Sequence, residues 1–126
     1  MFTSVPFVLI HMLGVSPTKY FSFITAVAKN GNVTTMSSMF EGCTSLTTAP
    51  ELPATILKFE CYHYMFYGCS KLNYIKAMFT TTPEDDYTGS WVSEVASSGT
   101  FVKNKDATWN VTGPDGIPSG WTVQTA

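Results

Sequence analysis

The chain has 126 residues, of which 44% are hydrophobic, 14% aromatic and only 13% charged. That is enough apolar material for one domain with a buried core, and it excludes an intrinsically disordered chain. The seven basic residues are scattered and the formal net charge is -2, which excludes the concentrated basic patch that nucleic acid binding requires.

Taken in chain order, the first feature is an apolar run, Val5 to Val15 (VPFVLIHMLGV). It is far too short to span a membrane as a helix. No Lys or Arg precedes it and no convincing small-residue cleavage site follows, so it makes a poor signal peptide. It reads as a buried first element or as the ragged start of a longer protein. His11 to Ser16 reads as a degenerate copy of the motif described next.

The organising feature is an internal repeat. Met39 to Leu46 reads MFEGCTSL, and Met65 to Leu72 reads MFYGCSKL. The offset is 65 − 39 = 26 residues, and Met, Phe, Gly, Cys and Leu match. Leu57, Cys61, Tyr64 and Met65 fall at helical spacing and are followed by Gly68, where a helix wants a left-handed stop. Gly42 stands in the same place after Met36, Met39 and Phe40. The segment after each glycine reads as extended, from Leu72 to Phe79 in the second copy. There Leu72, Ile75 and Ala77 point inward; Leu46 and Ala49 do so one copy earlier. Pro50 and Pro53 break the earlier strand.

One unit is therefore a short strand, a proline-bearing turn, a short helix and a glycine stop. Stacked units bury what a single unit cannot. The sequence predicts an α/β repeat, a short solenoid of short strands and short helices, closed by a C-terminal α+β cap. Residues 1–30 form a poorly matching N-terminal segment, 31–79 the 26-residue repeats, and 80–126 the cap. With alternate strand residues inward, Tyr74 and Lys76 face outward, with Thr48 and Pro50 beside them. Those four form the candidate ligand-binding face, with Tyr74 as aromatic anchor. The other reading of this face is a solvated sheet surface.

In the cap, Thr82-Pro83-Glu84-Asp85 reads as a helix start, with an N-cap, proline at N1 and acids at the positive end of the dipole. Tyr87, Trp91 and Val95 follow on one helix face. Short strands are expected around Phe101, Trp109 and Trp121. Trp91, Trp109 and Trp121 supply the large apolar surfaces that would cover the last open layer.

Reactive chemistry is sparse. Cys43, Cys61 and Cys69 are an odd set without a CxxC pair, which reads as three buried thiols and not as a disulfide framework or zinc site. His63 lies two residues from Cys61, so on a helix the pair would diverge. Glu84-Asp85-Asp86 fits helix capping better than a calcium site. Asn32-Val33-Thr34 and Asn110-Val111-Thr112 match the glycosylation acceptor pattern. No catalytic residue, metal ligand or cofactor site is expected.

Asn32 to Leu46 (NVTTMSSMFEGCTSL) resembles the repeat of BspA-like leucine-rich-repeat surface proteins. Leu46 to Thr55, with Cys61-Tyr62 and Met65-Phe66, looks like the variant common in gut Bacteroidales. Gly99 to Lys103 and Gly116 to Val123 resemble the terminal cap of those proteins. The resemblance covers roughly residues 31–126. It implies a leucine-rich-repeat solenoid at the cell surface, a non-enzymatic adhesion module binding a host extracellular protein or glycan. The alternative it allows is a structural end piece of a phage tail-associated or surface fibre protein. On a bacterial reading the two glycosylation matches are coincidental.

Overall fold

The structure, a computed structural model, describes residues 36–126. The segment 1–30, the apolar run with His11, the degenerate copy and the Asn32 acceptor pattern lie outside the described residues. Four short elements occur in the order β1 (Tyr74–Ala77), α1 (Asp85–Thr88), β2 (Thr100–Lys103) and β3 (Thr122–Thr125). The strands are rich in the β-branched and aromatic residues that suit a pleated surface. They form one parallel sheet in the order β1-β2-β3. Its rows are Tyr74–Thr100–Thr122, Ile75–Phe101–Val123, Lys76–Val102–Gln124 and Ala77–Lys103–Thr125.

This corrects the expected architecture. The chain does not build a leucine-rich-repeat-like solenoid of alternating short strands and short helices. Most of the described chain is turn or irregular, and its helical content is the four residues of α1. The hydrogen bonding gives the physical reason. In the segment read as a helix from Leu57 to Phe66, the amides of Glu60, Tyr62, Tyr64 and Phe66 donate sideways, to the carbonyls of Asp86, Tyr87, Gly89 and Trp91. Amides spent in this way cannot close helical rings. Glu60 and Tyr64 also sit at positive φ, 56° and 55°, which takes the backbone out of the right-handed region. Residues 36–42 behave alike: Met36, Ser38, Phe40 and Gly42 donate to Cys61, His63, Met65 and Tyr67. Gly42 and Gly68 do adopt left-handed φ, 74° and 77°, but each closes a turn and not a helix.

The cap differs in the same direction. Helix α1 begins after Glu84, which makes no side-chain cap bond, and it ends at Thr88. The backbone leaves the helical region at Gly89 (φ -50°, ψ 121°), and the Gly89 and Trp91 carbonyls are engaged laterally by Tyr64 and Phe66. Trp91 therefore lies in a turn beyond the helix and Val95 in the irregular segment after it. The segment around Trp109 is irregular, and β3 begins just after Trp121.

The core runs through the middle of these segments. Met65, Phe66, Leu72, Ile75, Phe79, Trp91 and Phe101 are fully buried. Phe40 stacks on Phe66 at 5.8 Å, with ring planes 8° apart. Phe66 meets Trp91 at 5.9 Å, and Phe79 stacks on Trp109 at 5.2 Å. All three tryptophans are buried, and each indole N–H donates to a main-chain carbonyl: Trp91 to Gly116, Trp109 to Phe79 and Trp121 to Ala96.

Candidate functional site

Strand alternation sets the site. In β1, Ile75 and Ala77 are buried while Tyr74 and Lys76 are half-exposed, so the last two stand on the outward face. Thr48 is exposed and bridges Tyr74 in parallel. Lys76 Nζ lies 3.7 Å from Glu51 Oε1, both side chains being well solvated. Three of the four expected residues thus meet on one surface.

Pro50 does not join them, because it is buried. The bridges Thr48–Tyr74 and Leu52–Ala77 explain why. The chain takes 52 − 48 = 4 steps on one side against 77 − 74 = 3 on the other. The extra residue is a local bulge, which breaks the alternation and re-aims the side chains between the bridges.

Sequence reasoning missed the neighbours that the sheet adds. Register places Thr100 and Thr122 in the row of Tyr74, and Val102 and Gln124 in the row of Lys76. Val102 stands in the outward row, apart from the core cluster that contains Phe101, but it is only 6% exposed and adds little accessible apolar surface. The Thr-rich strand sequences were visible, but nothing in them announced that β2 and β3 continue the same sheet as β1. The assembled face offers a phenol, an ammonium, an amide and several hydroxyls. Such a set has the chemistry to make hydrogen bonds and aromatic contact with a ligand.

The thiols occupy a different environment. Cys43, Cys61 and Cys69 are free and buried. Burial pushes the Cys43 thiol up to about 11 and the Cys69 thiol up to about 12, and it raises Cys61 as well. The Cys69 thiol donates to the Phe40 carbonyl at 3.0 Å. At neutral pH these sulfurs stay protonated, the unreactive form. His63 lies beside Tyr64, ring edge to ring face at 4.5 Å. Among the described residues no group of His, Cys, Asp or Glu is arranged to hold a metal, the Glu84–Asp86 acids included.

A shallow open cleft of about 370 Å³ lies between residues 92–97 and the loop bearing Pro114 and Pro118. None of the four expected site residues lines it. No helix among the described residues is long and apolar enough to cross a membrane. Comparison with family models, curated proteins and solved structures finds no match for the chain.

Proposed function

We propose that the protein is a non-enzymatic binding or adhesion module, displayed at a cell surface, that presents the outward strand face to an extracellular protein or glycan. The observation that carries this reading is the continuity of that face. Thr48, Tyr74, Thr100 and Thr122 are brought side by side by one bridge and two in-register strand pairs. A half-exposed tyrosine among hydroxyls combines rigid apolar contact area with hydrogen-bonding groups, the composition that anchors many recognition surfaces. The motif resemblance to BspA-like surface proteins supports the same class of role and the surface location.

The test is a screen of the immobilised chain against glycans and host extracellular proteins, run beside a Tyr74→Ala/Lys76→Ala double variant. The reading expects a ligand captured by the wild type and lost by the variant at unchanged melting temperature. Equal capture by both would remove the strand face from the account.

A further inference from the structure

A second aromatic cluster lies on the turn segments, with Tyr64 exposed and His63 and Tyr67 half-exposed. His63, Tyr64 and Tyr67 meet ring to ring, with centroids 4.5 Å apart for the first pair and 5.5 Å for the second. The two tyrosine rings are tilted by 56° and do not stack flat. Tyr64 is 37% exposed.

The backbone fixes what flanks these rings. Gly42 donates to the Tyr67 carbonyl and Gly68 to the Ser93 carbonyl. Tyr67 is thereby set between the segment carrying Glu41 and the segment carrying Glu94. Its phenol is held above the usual tyrosine range, first by a hydrogen bond to the Glu94 side chain and next by that carboxylate's charge, with burial, Tyr64 and Glu41 adding less. Both carboxylates therefore act on this phenol, Glu94 more strongly than Glu41. Among the described residues that act on this phenol, none is a cation.

Two independent effects then favour the same kind of ligand. The face of an aromatic ring carries partial negative charge and attracts a cation lying over it. Carboxylates on either side attract the same charge and repel phosphates and other anions. We propose that the Tyr64–Tyr67 cluster, flanked by Glu41 and Glu94, receives the ammonium or guanidinium head of a basic peptide. The alkyl stem of the incoming Lys or Arg packs on the exposed ring of Tyr64. This docking point is separate from the Tyr74–Lys76 face and does not depend on it.

The test is an NMR titration of the full chain with trilysine, beside trilysine acetylated on its side chains, at low and high salt. The expected result is movement of the His63, Tyr64 and Tyr67 ring signals with trilysine. The acetylated peptide should bind at least about threefold more weakly, the scale of one exposed cation–π contact or ion pair. A Glu41→Gln/Glu94→Gln variant should lose a similar factor, and salt should weaken the wild type. Should that variant fold poorly, the acetylation comparison on the wild type still decides. Equal titration by the two peptides, or ring signals that do not move, would overturn the proposal.

Discussion

The two ends of the described chain hold the same core by different means. From Met36 to Gly68 the main chain supplies the cohesion, with alternate amides donating to the neighbouring segment, as Phe40 does to Met65 and Phe66 to Trp91. From Ser90 onward that pattern thins. Ser90 donates to a side chain, Asp115 Oδ1 at 2.7 Å, and Val92 reaches Pro114 at 3.2 Å. There the tryptophans take over: they cover the apolar layer, and their indole N–H groups satisfy carbonyls that the main chain leaves open. An irregular loop can be packed against a core only if its polar groups find partners. A large ring with one donor at its edge meets both needs.

Truncating Trp91 tests the tryptophan mechanism by itself: the main-chain carbonyl that accepts from Phe66 stays, while the indole's bond to Gly116 and its ring contacts with Phe66 and Phe79 are lost. Trp91→Ala should cost on the order of 3–5 kcal/mol and lower the melting temperature sharply. A melt matching the wild type would break the comparison. Gly99 sits where the two regimes touch. A Cβ there would stand 2.5 Å from the Asn73 carbonyl oxygen and 2.8 Å from Trp121, so Gly99→Ala should cost about 1–3 kcal/mol by overpacking, read in urea denaturation. Trp121→Phe keeps a ring and deletes the bond to the Ala96 carbonyl. It should cost about 1 kcal/mol, and a neutral result would mean that water replaces the indole there. Lys76→Ala should change stability by less than about 0.5 kcal/mol, since its partner Glu51 is half-exposed.

The sequence made some of this legible and hid the rest for identifiable reasons. The 26-residue offset marked which side chains lie together, as the Phe40–Phe66 stack shows. It did not reveal the conformation joining them. Apolar residues at Leu57, Cys61, Tyr64 and Met65 satisfy helical spacing, but a turn with left-handed Glu60 and Tyr64 buries nearly the same set. Only the hydrogen-bond partners separate the two, and these belong to segments distant in sequence. The same limit affected the cap, where Thr82-Pro83 signalled a helix that stops after one turn at Thr88. Within the site, Tyr74 and Lys76 were readable from β alternation. Pro50 was misplaced because a bulge shifts the register by one residue. Thr100, Val102, Thr122 and Gln124 were missed because sheet order depends on tertiary pairing.

The most direct test of the functional account separates the outward face from the core beneath it. Tyr74 and Ile75 are neighbours in β1, one half-exposed and the other fully buried. Once a ligand of the strand face is in hand, its affinity and the melting temperature are measured for Tyr74→Ala and for the wild type. The account predicts an affinity loss of roughly 30-fold, the scale of a binding anchor, with a nearly unchanged melting temperature. Unchanged affinity for Tyr74→Ala would contradict it.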